Sequence, residues 1–262
     1  MGWNKLFRRH CMIRIIPIAS GSGGNCLYAD LDGKRLLIDL GASARAVTAA
    51  LRANSLTWSD IDLLLLTHTH TDHTKGMDGC LKKTAAPLYM SSASKATLVC
   101  ARAQELPYNI RTELLPGLRV TAFRTSHDCI GSVGYLLETE HTRFGYATDL
   151  GVLTEEIKSL LVGADCIVLE SNHDTDMLRQ GPYPVSLKRR ILSENGHLSN
   201  EDCCEGLRCF AAAGTKHFLL AHLSRENNTP DLALAYAEMT LAGTGADVSA
   251  LPVSGSEMIT FD

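Results

Sequence analysis

The sequence predicts a mixed α/β fold with strands at the centre and helices outside. Three observations carry this reading. Short apolar runs of strand length recur in both halves of the chain, longer stretches of helical character separate them, and histidine or aspartate follows directly on the ends of several runs. Polar groups at strand ends are held by a rigid scaffold yet stay within reach of a substrate.

The first half opens with expected strands at 12–18 (MIRIIPI), 26–32 (CLYADLD) and 34–40 (KRLLIDL). The last two are joined at Asp32-Gly33, a pair that accepts the positive φ angles of a tight hairpin. A helix is expected over 43–53. The run 61–67 (IDLLLLT) is too short for a typical helix and suits a strand buried on both faces. In the second half, strands are expected at 118–125, 132–140, 143–148, 165–170 and 216–221, and helices at 91–104, 154–162, 184–193, 199–213 and 230–242. No repeat, low-complexity tract or Pro/Gly/Ser linker divides the chain, which predicts a single domain over 12–262 preceded by an extension at 1–11.

Composition excludes more than it selects. Hydrophobic residues at 45% and charged residues at 21% belong to an ordinary globular chain. A net charge of −4 gives no global footprint for nucleic acid. It permits a local basic strip such as Lys188-Arg189-Arg190, although a short basic run on a helix is more often a solvated face. Nine cysteines, an odd number without a Cys-x-x-Cys pair, indicate reduced thiols and a cytoplasmic protein. The apolar part of the N-terminal stretch is broken by Arg14 and Pro17, and Leu6 stands where a myristoylation motif requires Ser or Thr. Neither a signal peptide, a membrane partner nor a nucleotide cofactor is expected.

The chemistry concentrates in Thr67-His68-Thr69-His70-Thr71-Asp72-His73. Side chains alternate along extended backbone, so His68 and His70 point to one side and can share a cation. Asp72 and His73 diverge from them, most of all if a helix starts there, and suit a second cation. Nitrogen and carboxylate ligands without thiolate fit Zn²⁺, Mn²⁺ or Fe, and a hydrolytic site leaves a coordination position for water. Two isolated histidines are more often non-ligating. Here four ligand groups follow a buried strand, and His127, Asp149 and His222 follow later ones, which favours a metal centre.

HTHTDH matches a His-x-His-x-Asp-His signature, and together with TSHD (125–128), ATDLG (147–151) and AHLS (221–224) it makes the chain resemble the metallo-β-lactamase superfamily. The resemblance implies a four-layer αββα sandwich and two divalent metal ions, Zn²⁺ or Mn²⁺. It assigns His68, His70 and His127 to the first metal and Asp72, His73 and His222 to the second, with Asp149 bridging. β-Lactam hydrolases of this fold often carry a cysteine in the second site. Asp149 and His73 match the nuclease, glyoxalase and lactonase branches instead, so the fold leaves the substrate open.

Further segments narrow the branch. GHLSN (196–200) resembles a stretch before the last metal ligand in transfer-RNA 3′-processing nucleases, and ESNHD (170–174) stands where those enzymes carry an acidic residue. This implies that His197 contacts the scissile phosphate or protonates the leaving oxygen, with Glu170 orienting it. The other reading of His197 is a turn residue before a helix capped by Ser199 or Asn200. From ASGSGGNCLY (19–28) to AHLSRENN the chain is similar to the bacterial YycJ/WalJ-like subfamily, single-domain members associated with DNA exonuclease activity. Gly23 departs from the serine expected in that first loop, which either presents backbone N–H groups to a phosphate or forms a tight turn. Asn25, Glu170 and Ser224 are candidate substrate contacts. The 72 residues between Asp149 and His222 leave no room for the long insertion of larger nuclease relatives.

The expected function is a dinuclear phosphodiesterase acting on nucleic acid, with DNA favoured, and by resemblance a 5′ to 3′ exonuclease. A hydroxide held between the cations would attack, oriented by the catalytic Asp72, and His197 would assist the leaving group. The alternative is a thioester or lactone hydrolase using the same hydroxide on a carbonyl. A regulatory protein that keeps metal without catalysis is a third reading, against which the complete ligand set argues.

Overall fold

Successive residues of each strand point to opposite faces, both of them largely buried, and the strands accordingly build two seven-stranded sheets packed against each other. The computed structural model describes residues 12–261, so the expected extension at 1–11 lies outside the described residues. In the first sheet β1 (Ile13–Ala19), β2 (Cys26–Leu31) and β3 (Lys34–Ile38) form an antiparallel meander. Its turn at Asp32 (φ 52°) and Gly33 (φ 84°) has the two positive angles that the sequence pair predicts. β4 (Leu63–Leu65), β5 (Leu88–Met90) and β6 (Ala103–Glu105) continue the sheet in parallel.

The second sheet runs β7 (Thr112–Leu115), β8 (Leu118–Arg124), β9 (Val133–Glu138) and β10 (Arg143–Ala147) antiparallel. β11 (Cys166–Glu170), β12 (His217–Ala221) and β13 (Asp247–Ala250) then follow in parallel. β14 (Ile259–Phe261) returns to pair antiparallel with β1. Both sheets thus carry the same succession of directions, β14-β1-β2-β3-β4-β5-β6 in one and β7 to β13 in the other.

Helices cover both outer faces. α1 (Ala44–Ala53), α2 (Thr71–Thr74), α3 (Met77–Leu81) and α4 (Ser92–Thr97) belong to the first half. α5 (Glu155–Leu161), α6 (Thr175–Gln180), α7 (Val185–Ile191), α8 (Asn200–Ala212) and α9 (Pro230–Leu241) belong to the second. Leu63 and Leu65 of β4 enter a central core with Val120, Tyr135 and Val168, while Leu64 joins Val47 and Leu51 of α1 in an outer core. Ile167 and Leu169 of β11 likewise meet Ile157, Leu207 and Phe210 on the other outside face. The result is one domain with αββα layering. Each fully buried leucine contributes on the order of 2 kcal/mol. Among the described residues, no helix is long and apolar enough to cross a membrane.

The elements found depart in places from those expected. The helix expected over 91–104 ends at Thr97, because Ala103–Glu105 pairs in parallel with β5 and Arg102 donates to the Leu81 and Ala86 carbonyls. Sheet-edge pairing there overrides a weak helical propensity. Between β11 and α7 lies α6, capped by the Asp174 side chain and too short for a helical period to show.

The ends of β3, β4, β8, β10, β11 and β12 lead to one rim, where Asp39, His68, His127, Asp149, Glu170 and His222 gather. Close approach of backbone builds part of it. A Cβ on Gly41 would lie 1.6 Å from the Asp72 carbonyl oxygen and 2.6 Å from the Asn25 nitrogen. Gly41→Ala should therefore displace the α2 turn and cost about 3 kcal/mol, as overpacking does. Urea unfolding checks this: the midpoint should fall at constant slope, and an unchanged midpoint contradicts the packing argument.

Candidate metal centre

Extended backbone through Thr67–His70 and the start of α2 at Thr71 distribute the motif as its spacing suggests. His68 Nε2 lies 3.1 Å from His70 Nδ1, and His127 Nε2 lies 3.3 Å from the same atom. A tetrahedral cation with bonds of about 2.0–2.1 Å holds its nitrogen ligands about 3.3 Å apart, so these three atoms fit one ion. The opposite ring nitrogens are engaged: His68 Nδ1 with Thr67 Oγ1 at 3.1 Å and His127 Nδ1 with the Gly196 carbonyl at 3.3 Å. His70 Nε2 faces Asp128 at 3.8 Å. Such outer partners fix which nitrogen is left for a metal.

A second group lies beside the first. Asp72, His73 and His222 bring one potential ligand atom each within 4.8 Å of one another, as do His68, His73 and Asp149. Asp149 Oδ2 is 3.5 Å from His73 Nε2, and Asp149 Oδ1 is 3.4 Å from His222 Nδ1 and 3.9 Å from His127 Nε2. Asp149 therefore faces both groups. Its Oδ2 and His222 Nε2 are buried without a hydrogen-bond partner. Two orphaned ligand atoms within a cluster drawn from four chain segments are what a cation would satisfy, and the residues present fit divalent ions.

Buried carboxylates control the protons. His73 Nδ1 lies 2.7 Å from Asp39 Oδ2, and Asp39 is fixed in turn by the Thr67 N–H and hydroxyl. Burial disfavours charge on His73, but Asp39 and Asp149 prevail and raise its pKa well above the usual value. His222 behaves alike: against burial, Asp149 and Glu170 lift it to about 9. Burial opposes ionisation of Asp72 too, yet its hydrogen bond with His73 brings it down to about 2. His68 is driven down to about 2, chiefly by burial and then by His73.

Glu170, fully buried, accepts at Oε1 from His222 Nδ1 and His197 Nδ1, both at 2.7 Å. Its Oε2 accepts from the Leu150 N–H at 2.9 Å. His197 precedes α8, which Ser199 caps, so the turn and the site coexist. With His127, Asp128, Tyr183, Arg190, His222 and Ser224, His197 lines a cavity of about 230 Å³ at the rim.

Of the three expected substrate contacts, only Ser224 faces this cavity. Asn25 is turned inward, its Nδ2 2.9 Å from His73 Nε2 and 3.2 Å from Asp72 Oδ2, and Glu170 holds two histidines. In the basic run, Arg190 pairs with Asp128 at 2.5 Å, Lys188 bonds the Arg179 carbonyl and Arg189 is exposed. Sequence reasoning missed Asp39, Thr67 and Asp128. Asp39 had a signal, since Asp39-Leu40-Gly41 repeats as Asp149-Leu150-Gly151.

A sequence profile of the β-lactamase superfamily domain matches residues 34–223, which include every candidate ligand. Exodeoxyribonuclease YycJ of Bacillus anthracis is 35% identical over 242 residues, covering 88% of this chain and 90% of that protein. Exodeoxyribonuclease WalJ of Streptococcus pneumoniae is 33% identical over 245 residues with the same coverage. Among solved structures, the metallo-β-lactamase fold protein YhfI of Bacillus subtilis aligns with a TM-score of 0.71, covering 96% of this chain and all of that one at 14% identity, a likeness of fold.

Two predictions follow from the buried carboxylates. Asp39→Asn or Glu170→Gln should weaken Zn²⁺ binding by about 10–100-fold in chelator competition, because outer partners orient and polarise the ligands. Affinity unchanged in both would show that they do not. Protons held by His73 and His222 must also leave when metal binds. With His222 raised from 6.5 to about 9, its pairing with carboxylates stabilises the metal-free chain fully below pH 6.5 and is lost as pH rises through about 9. Metal titration calorimetry in buffers of different ionisation enthalpy should show proton release at pH 7 that declines above pH 9.

Proposed function

The chain belongs to the metallo-β-lactamase superfamily of hydrolases, and from that premise we propose that it is a phosphodiesterase that degrades DNA as an exonuclease, with two divalent ions, Zn²⁺ or Mn²⁺, at the rim. His68, His70 and His127 would hold one ion, Asp72, His73 and His222 the other, and Asp149 both. The curated relatives, named exodeoxyribonucleases, support the substrate class. The 5′ to 3′ polarity implied by the motifs belongs to the same proposal.

Divalent ions at this site supply Lewis acidity toward phosphate oxygens and make water a nucleophile near neutral pH. The chain's own groups do the rest. The Asp72 carboxylate accepts a hydrogen bond from the attacking water and aims it. His197, with Nδ1 held by Glu170, has its other ring nitrogen left to donate a proton to the departing oxygen. Tyr183 offers a ring for a base to stack on at the cavity wall.

The observation that carries this reading is the placement of His197 beside His127 and His222, oriented by the carboxylate that also holds His222. An alkoxide is a poor leaving group and needs a proton, whereas a thiolate departs without one. A built proton donor therefore favours phosphodiester hydrolysis over thioester hydrolysis.

Asp72→Asn and His70→Ala should abolish metal-dependent cleavage of single-stranded DNA. His197→Ala should keep its metal and lose about 10²–10⁴ in kcat. The decisive assay uses 5′- and 3′-labelled oligonucleotides beside a glutathione thioester; turnover of the thioester alone would overturn the proposal.

A further inference from the structure

Beyond the metal rim lies a second cavity, of about 310 Å³, whose wall includes Gly23, Gly24, Ser43, Lys75 and Arg225. Building on the phosphodiesterase reading, we propose that this cavity is a phosphate subsite that takes one phosphate group of the substrate strand next to the scissile one, with Lys75 and Arg225 as its cationic groups.

Its chemistry is one-sided. Two cations line it and no carboxylate does. Lys75 Nζ donates to the Gly23 carbonyl, which leaves two further N–H donors on the ammonium. Arg225 is exposed, and among the described residues it has no recorded hydrogen bond or ion pair. An arginine without a carboxylate, beside a lysine and a bare backbone loop, is the donor set that phosphate oxygens require. The ten-residue helix α1 also begins here, with Ser43 as its cap and the positive end of its dipole toward the cavity.

The glycine loop runs directly beside both cations, and Gly24 is required by its φ of 145° and by the close Gly41 carbonyl. A Cβ on Gly23 would stand 3.4 Å from Arg225 Nη2, and one on Gly24 would stand 3.2 Å from Lys75 Nζ and 2.8 Å from the Gly41 carbonyl oxygen. Gly23 stands where the motif expects a serine, and the Arg225 guanidinium lies in van der Waals contact with that position.

Position ties the cavity to the chemistry. Ser22 and Ser224 line the metal-side cavity, while their neighbours Gly23 and Arg225 line this one. The two spaces are therefore neighbours along both the 20–25 loop and the 222–225 segment. On the far side, Asn25 of the same loop touches Asp72 and His73. A strand with its scissile phosphate at the rim would cross these shared segments with the adjacent phosphate. The cavity on the other flank of His197 sets three carboxylates, Asp176, Glu201 and Asp202, against one cation, Arg179, and suits phosphate less well.

The test measures binding of the metal-loaded protein to short single-stranded oligonucleotides with hydrolysis-resistant phosphorothioate linkages, by fluorescence anisotropy over a range of salt concentrations. The double variant Lys75→Ala/Arg225→Ala should bind about tenfold or more weakly, and the slope of log K against log salt should drop by about 0.7, the value for one lost phosphate contact on a single strand. Metal content and melting temperature should match wild type, and Lys75→Arg should restore most of the affinity. Oligonucleotides ending in 5′-phosphate, 5′-hydroxyl or 3′-phosphate separate the sources: an effect confined to the 5′-phosphorylated strand identifies a terminal monoester, and an effect on all three an internal diester. If wild type cleaves DNA while the double variant keeps affinity and slope on every strand, the subsite is refuted. Wild-type protein that neither binds nor cleaves DNA removes the phosphodiesterase reading and the subsite with it.

Discussion

One buried oxygen, Oε1 of Glu170, accepts from two imidazoles. Burial alone would keep this carboxyl protonated, but His197 and His222 prevail and hold its pKa at about 2. A buried anion is tolerable only when its lone pairs are used, and the other oxygen takes the Leu150 N–H. Through these bonds the carboxylate joins the ends of β10, β11 and β12 and the loop before α8. The proposed ligand His222, the proposed proton donor His197 and the residue after Asp149 are thereby positioned by one group. With the Leu198 N–H, which also donates to Oε2, removing it would leave four donors unsatisfied in a dry environment, which is why the geometry of the rim is cooperative.

Asp39 performs the matching task in the other sheet. It occupies the position after β3 that Asp149 occupies after β10, each followed by Leu-Gly and each with φ near +60°. With the identical order of strand directions, this marks the halves as structural equivalents. Their roles have diverged: Asp39 turns onto His73 Nδ1, while Asp149 stands between the two ligand groups. The absence of repeats inferred from the sequence reflects how little beyond three residues and a topology the halves share.

Much of the centre was legible because ligand chemistry leaves dense marks. Three imidazoles and a carboxylate in HTHTDH, then His127, Asp149 and His222 just beyond strands, meet at the rim as their order implied. Groups that act through hydrogen bonds leave thinner ones. Asp39 ends an ordinary-looking strand, and Thr67 is one polar residue after an apolar run. Asn25 reads as a loop residue near substrate, whereas the Gly21 N–H donating to its Oδ1 and the contacts of its Nδ2 with Asp72 and His73 turn the amide inward. In the fold, long buried strands were readable from their runs. The three- and four-residue strands at or next to the sheet edges, β5, β6, β7, β13 and β14, were not, since they contain too few residues to show a period.

Assembly of the rim has a cost that the sandwich must carry. Asp39, Asp149 and His222 all adopt left-handed backbone, with φ of 62°, 57° and 56°. Asp and His tolerate this region better than most residues, yet each still costs on the order of 1 kcal/mol. Asp149 Oδ2 and His222 Nε2 add unsatisfied buried atoms. The central core, built from strands whose inward residues are almost wholly inaccessible, offsets these terms and lets the centre be shaped before any ion arrives. An ion that satisfies the orphaned atoms then contributes its binding free energy directly to the folded state. At Asp149 and His222 strained backbone and unpaired polar atoms coincide, as the proposed metal centre would require, at the expense of local stability.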